Sequence, residues 1–419
     1  MTQSRPRRFA ITAPLAKAAA LANSPQSKHL QAKIQSQVSP QVARLLPNIP
    51  EPVLLKLVQL IGPAKRFESA DPLMQLIMAA TSKQGGLVTE DIKASRRRFN
   101  QTTVLLQSMQ RDVPDIASVK DLSFDNRQGD AIKLRHYLPN VAGSTGKDKP
   151  PSELPLIVFF HGGGFSLGDI ESHDEFCYYL CHYTGFCVLS VDYRLAPEAP
   201  APAASEDCID AVLWAAKQHQ TLAFKSGQII VCGDSAGGNL ATVVSQQLSL
   251  SGLTAADNLT DSSATSSAQG STHASTPVPI MQWLIYPVTD NERGQSHYPS
   301  YQNYGSGTLL SLEDKALFKQ FYLGNSSLDK LDPLVSPIHG KLDNLPPAFV
   351  VTAELDVLSD EGEAYAQKLK ACGNKVELIK APGMPHGFVN LTSLHPGARQ
   401  ITIDMIESMR EFYFAVYDE

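Results

Sequence analysis

Ser235 stands at the centre of Cys232-Gly233-Asp234-Ser235-Ala236-Gly237-Gly238, between a run of strand formers, Gln228 to Val231, and a helical run, Asn239 to Ser245. G-x-S-x-G at a strand-to-helix turn lifts the serine hydroxyl above the end of a sheet in a strained conformation. Gly233 and Gly237 lack the Cβ atoms that would collide as strand and helix close. The helix that follows aims its first amides at the site, so the Ala236 N–H can meet a developing negative charge. Nucleophilic attack on a carbonyl is the chemistry such a turn can do.

Nucleophilic attack needs a proton acceptor, a group to orient it and further amide donors. Upstream, the apolar run Leu156 to Phe160 ends in His161-Gly162-Gly163-Gly164-Phe165. Three glycines after a buried strand let bare backbone amides approach a ligand closely. Downstream, the strand-like run Pro347 to Thr352 leads to Ala353-Glu354-Leu355-Asp356, and Val376 to Ile379 leads to Pro382-Gly383-Met384-Pro385-His386-Gly387-Phe388. Asp356 and His386 therefore both lie just past strand ends, where ligands gather in open α/β sheets, and in the order Ser, Asp, His. Competing acids are Glu354, Asp360 and Glu361, which fit as solvated or helix-starting charges, Glu361 as a packed structural one. Asp234 fits better as a fixer of the turn or neighbouring loops. Of the eleven histidines, His386 alone follows the last strand in a Gly/Pro-rich loop, with His395 the runner-up.

The elements that must position these residues alternate strand and helix from about residue 115 onwards. Segment 118–137 reads as two opening antiparallel strands around the turn Arg127-Gln128-Gly129-Asp130. Residues 28–114 read as helical, with Leu45, Leu46, Val53, Leu54, Leu57, Leu60 and Ile61 at helix-like spacing and a second start at Asp71-Pro72. Ser251 to Pro277 is rich in Ser and Thr and almost without large apolar residues. It cannot bury enough surface to offset its ordering entropy and reads as a surface loop between the serine helix and the strand Ile280 to Tyr286.

His161 to Phe165, Asp192-Tyr193-Arg194-Leu195-Ala196-Pro197-Glu198, Gly233 to Gly238, Asp356 to Glu361 and His386-Gly387-Phe388 together resemble the hormone-sensitive lipase-like family of bacterial α/β-hydrolase carboxylesterases. The resemblance covers roughly residues 115 to 419, including Tyr286-Pro287, and is faint over the first hundred. It implies an α/β-hydrolase fold, a mostly parallel central sheet flanked by helices, with an N-terminal helical cap over the site. It implies a serine esterase acting on short- to medium-chain acyl esters, with Ser235, Asp356 and His386 as triad. The amides of Gly163, Gly164 and Ala236 would form the oxyanion hole. Phe165, Trp283 and Phe388 are candidates for the substrate pocket, each equally able to be core. The Asp192 to Glu198 block would brace the oxyanion loop, with Asp192, Arg194 and Glu198 in buried polar pairing. Two departures stand out: Val357 follows the acid where the family has proline, and the connection at 251–277 is longer than usual. An amidase or an acyltransferase would use the same residues, and a hydrolase-fold ligand-binding protein would do without an intact triad.

Composition fits a globular enzyme. The chain has 419 residues, 43% of them hydrophobic, and a formal charge of −6, which argues against a nucleic-acid partner. No apolar run approaches the roughly 20 residues of a membrane span. Nothing calls for a metal or organic cofactor, since neither a Gly-rich phosphate motif nor paired His and Cys spacing is present. The six cysteines lack a secreted disulfide spacing, and Cys177 and Cys181 lie four apart on one helix, a poor geometry for a bridge. A cytoplasmic setting is the expectation. Residues 1–27, with Arg5-Pro6-Arg7-Arg8-Phe9 and an Ala-rich stretch to Ala22, read as a flexible or amphipathic leader, and less well as an export signal. The family resemblance also implies a homodimer through the last sheet edge.

Overall fold

The computed structural model describes residues 45–61, 65–83, 85–107, 113–140, 150–260, 278–294 and 296–417. The leader segment 1–27 and residues 28–44 lie outside these. Eight strands form one sheet: β1 (Ser118–Asp125), β2 (Ala131–Leu138), β3 (Leu156–Phe160), β4 (Cys187–Asp192), β5 (Ile229–Asp234), β6 (Met281–Ile285), β7 (Ala348–Leu355) and β8 (Val376–Pro385). Their spatial order is β1-β2-β4-β3-β5-β6-β7-β8. The first two strands and the β2–β4 pair are antiparallel, and β3 to β8 run parallel with β4. This is the α/β-hydrolase architecture.

β3 (Leu-Ile-Val-Phe-Phe) and β6 (Met-Gln-Trp-Leu-Ile) are buried at every position, as strands covered on both faces must be. The faces still alternate. Leu156, Val158 and Phe160 enter the core on one side of the sheet, and Ile157 and Phe159 the core on the other. Between the strands run α4 (Asp174–Thr184), α5 (Ala203–Lys217), α6 (Ala236–Thr260), α7 (Pro299–Tyr304), α8 (Leu312–Leu323) and α9 (Ser359–Ala371), and α10 (Pro396–Tyr417) follows β8. Preceding the sheet are α1 (Glu51–Ile61), α2 (Pro72–Ser82) and α3 (Ile92–Gln107). The carboxylate of Asp71 accepts the amides of Leu73 and Met74 at the start of α2.

One boundary differs from the sequence reading. Helix α6 continues through Ser251 to Thr260, so the first ten residues of the Ser/Thr-rich stretch are helical. Low hydrophobicity does not end a helix whose earlier turns are already packed, because propagation adds a hydrogen bond per residue without a new nucleus. The remainder, 261–277, lies outside the described residues. All six cysteines are free, five of them buried.

Candidate active site

Four connections leave the carboxyl ends of parallel strands on one side of the sheet, and each carries a candidate residue. β5 ends at Asp234, and Ser235 takes the left-handed region with φ of 56°. Its amide donates to the Ile285 carbonyl at 2.8 Å, which fixes the turn against β6. A Cβ on Gly233 would lie 2.2 Å from the Gly237 carbonyl oxygen, and one on Gly237 would lie 1.9 Å from that of Phe160. Strand and helix approach too closely there for any side chain.

β8 ends at Pro385, and His386 follows it. Its Nε2 lies 2.8 Å from Ser235 Oγ, and its Nδ1 2.7 Å from Asp356 Oδ2, just past β7. The other Asp356 oxygen accepts the Leu358 amide at 2.9 Å. Asp356 is fully buried, and Ser235 and His386 keep a small exposed fraction. The competing acids are committed elsewhere. Glu354 accepts the Gly383 amide, Asp360 the Ser300 amide, and Glu361 the Thr289 amide, Tyr301 hydroxyl and Lys315 ammonium. His395 pairs with Asp71 at 2.8 Å and accepts the Ala398 amide. Val357, at the family's proline position, is buried and accepts the Ser300 hydroxyl through its carbonyl.

The loop after β3 bends through positive φ at Gly163 (120°), Gly164 (60°) and Phe165 (60°). Among the described residues the amides of Gly163, Gly164 and Ala236 donate to no protein acceptor. Asp234 anchors this loop: its Oδ1 accepts the Gly162 amide at 2.7 Å, and His173 Nε2 lies 3.4 Å from it. Burial works to raise the Asp234 pKa, but His173 and the Gly162 amide outweigh it and the net shift is downward. The fully buried His161 has its pKa pushed down to about 4 by desolvation, so it stays neutral. Its ring stacks on Tyr193 at 4.3 Å, and the Tyr193 hydroxyl donates to its carbonyl at 2.6 Å. His161 is therefore a wedge under the loop and not a proton carrier.

The loop is also pinned from the N-terminal side. Arg96 of α3 donates to the carbonyls of Ser166 and Ala196 at 2.7 Å each and pairs with Glu198 at 2.7 Å. The Asp192 to Glu198 block differs from its expected internal pairing. Arg194 grips the buried Asp207 with two bonds of 2.8 Å and reaches Asp130, and the half-exposed Glu198 belongs to Arg96. Asp192 lies at the end of β4, where burial pushes its pKa up to about 6.

Ser235 and His386 open into a cavity of about 280 Å³. Its floor is the loop Gly163 to Phe165, with Leu167. α2 and α3 supply Ile77, Thr81, Phe99, Thr103 and Leu106 to one wall; α8 supplies Lys315, Phe318, Lys319 and Tyr322 to another. Phe318 rests directly over Gly164, and Tyr322 stacks on Phe165 with ring centres 3.8 Å apart.

The α/β-hydrolase fold family matches residues 157–390. "Lipase 2" of a Moraxella species is 37% identical over 84% of this chain and 84% of its own length. "Carboxylic ester hydrolase LipN" of Mycobacterium tuberculosis is 36% identical over 90% of this chain and 92% of its own. The chain belongs to the hormone-sensitive lipase-like family of α/β-hydrolase carboxylesterases. "Ethyl acetate hydrolase" of Pseudomonas putida is 33% identical over 81% of this chain and 96% of its own. Among solved structures, the hyperthermophilic esterase of Pyrobaculum calidifontis superposes with a TM-score of 0.66 at 34% identity, covering 81% of this chain and 98% of that one.

Two pocket candidates of this carboxylesterase lie elsewhere. Trp283 points from β6 into the core against Phe186, with its indole N–H on the Met281 sulfur, and is fully buried. Phe388 is equally buried and packs edge-on against Tyr286. Neither reaches the cavity: Trp283, on a strand covered on both faces, fills the sheet-helix interface, and Phe388, in the turn after β8, packs inward on Tyr286. Phe165 does line it. The α8 stripe carries no motif in the sequence. Its spacing of three and four (Lys315, Phe318, Lys319, Tyr322) marks one helix face, but nothing local says that this face looks onto Ser235. Among the described residues no helix is long and apolar enough to cross a membrane.

Proposed function

We propose that the chain hydrolyses short- to medium-chain acyl esters as a serine carboxylesterase, with Ser235 as nucleophile, His386 as general base and acid, and Asp356 as the group that orients it. The observation that carries this reading is the continuous chain Asp356 Oδ2, His386 Nδ1, His386 Nε2, Ser235 Oγ, with links of 2.7 and 2.8 Å. Ser235 Oγ attacks the ester carbonyl and passes its proton to His386 Nε2. The carbonyl oxygen becomes an oxyanion facing the amides of Gly163, Gly164 and Ala236, each worth about 3 kcal/mol of transition-state stabilisation. Asp356 holds the imidazole tautomer and balances the imidazolium charge. Collapse breaks the C–O bond, and the departing alkoxide takes the proton from His386. Water then repeats the sequence on the acyl-serine, releasing the acid.

A cavity of about 280 Å³ under α2, α3 and α8 supports a short- to medium-chain acyl group. The ethyl acetate hydrolase among its relatives supports the same size class. The test is turnover of 4-nitrophenyl esters from acetate to palmitate, by the wild type and Ser235→Ala. Serine-dependent turnover that peaks at short or medium chains is expected. A wild type inert toward every chain length would refute the assignment.

A further inference from the structure

The charges on the cavity wall do not match a site built for neutral esters alone. α8 places Lys315 and Lys319 one turn apart on the face that carries Phe318, and Arg98 of α3 lines the same cavity. Lys315 is neutralised by the buried Glu361 at 2.6 Å. Lys319 has no such partner. Among the described residues its hydrogen bond goes to the Asn291 carbonyl oxygen, and no carboxylate lies within ion-pair distance. An ammonium carries three N–H groups, so two remain for a ligand or solvent. Among the described residues Arg98 likewise donates to carbonyls, those of Gly86 and Leu87. Desolvation and the neighbouring Lys330 lower the pKa of Lys319, and Glu292 and Asp290, paired with Lys330 and Arg293, pull the other way without reversing the net shift. Among the described residues the only carboxylate lining the cavity is Asp234, already committed beneath the oxyanion loop to the Gly162 amide and His173.

Resting on the esterase reading, we infer that this cavity selects esters bearing a second, anionic group, a free carboxylate on the acyl or the alcohol part, with Lys319 as its counter-ion. Phe318 touches Gly164, whose amide is a proposed oxyanion donor, and Lys319 is the next residue on that helix. A substrate whose carbonyl oxygen occupies the oxyanion site and whose chain runs along α8 thus brings a terminal carboxylate to the Lys319 ammonium. A positive charge with no carboxylate in direct contact, in a partly desolvated cleft, attracts such a group more strongly than an exposed lysine does. Lys319 is a specificity-determining residue here, with no part in the proton transfers.

The experiment compares paired substrates by pH-stat titration of released acid. Monoethyl adipate against diethyl adipate places the carboxylate on the acyl side; 4-acetoxybutanoate against butyl acetate places it on the alcohol side. The wild type is expected to favour the charged member of at least one pair by about tenfold in kcat/KM, the scale of one charge-assisted hydrogen bond. Lys319→Met should bring that ratio to one or below, and Lys319→Arg should retain it. Because the read-out is a ratio within each protein, partial loss of folded enzyme does not disturb it. If Lys319→Met does not fold, the wild-type preference must still shrink as salt rises from low to high ionic strength. No preference in either pair, a preference untouched by Lys319→Met, or one insensitive to salt would overturn the inference. Turnover of the neutral esters by the wild type reports separately on the esterase reading.

Discussion

Replacing Gly164 by alanine tests how α8 and the loop after β3 are coupled. Gly164 sits at φ of 60°, and a Cβ there would lie 2.2 Å from Phe318 Cγ and 2.3 and 2.6 Å from the two Cδ atoms. These are root atoms of a ring that is itself buried on α8, so the clash is not relieved by swinging a flexible tip. Ordinary contact requires the loop or the ring to move by about 1 Å. Displacement of reacting groups on that scale costs about 100-fold in rate, and the loss of one oxyanion donor costs a similar amount. Gly164→Ala should therefore lower kcat by about 100-fold, or about 2.7 kcal/mol, with a smaller change in KM. Holding alanine at positive φ adds about 1 kcal/mol of destabilisation, visible as a lower Tm. Adding Phe318→Ala removes the clashing ring, and the double variant should recover at least tenfold in kcat over Gly164→Ala although it is less stable. Single-turnover kinetics with 4-nitrophenyl acetate, run as a double-mutant cycle, reads this coupling. A Gly164→Ala enzyme within about threefold of wild-type kcat would refute the argument. So would a double variant as slow as the single one.

Other outcomes follow from the buried charges. His136 and His161 both have pKa values pushed down to about 4 by burial, so the folded state stays neutral while the unfolded chain takes up protons near its ordinary pKa of about 6.5. Their contribution to stability is present above pH 6.5 and is lost as pH falls toward 4, roughly 3 kcal/mol for each. His136→Gln should flatten the fall of Tm across that window, and an unchanged slope would contradict the burial argument. Arg194→Met strands the Asp207 carboxylate, which keeps the Asn126 side-chain amide and the backbone amide of residue 194 but loses its guanidinium. A loss of about 3 kcal/mol in urea unfolding is expected, with relative kcat/KM among esters unaffected. A stability within 1 kcal/mol of wild type would remove this pair from the account of what braces the loop.

Much of this hydrolase was legible in its sequence because turn chemistry is local. Gly233, Gly237 and Gly238 have no room for side chains, and a buried strand running into His161-Gly162-Gly163-Gly164 needs no distant partner to be recognised. The strand ends after which Ser235, Asp356 and His386 stand follow from the alternation of strand and helix, since parallel strands put their carboxyl ends on one side. The choice among Asp356, Glu354, Asp360 and Glu361 was weaker in the sequence. These four lie within eight positions, and only the packed sheet gives each a different partner. The fate of an aromatic on a fully buried strand was illegible, since both faces of such a strand are apolar, and Trp283 went to the core; so did Phe388, in the turn past β8. The pairing of Arg194 with Asp207 joins residues thirteen apart through a helix-strand contact that no motif encodes. The cavity wall was likewise beyond the sequence. Lys319, Phe318 and Tyr322 share a helix face by periodicity, but which way that face looks is decided by how α8 docks on the oxyanion loop. The sequence by itself determined the chemistry, because a reactive turn is written in adjacent residues. Tertiary structure alone decided what surrounds it, because a pocket is lined by segments whose proximity arises only when the chain packs.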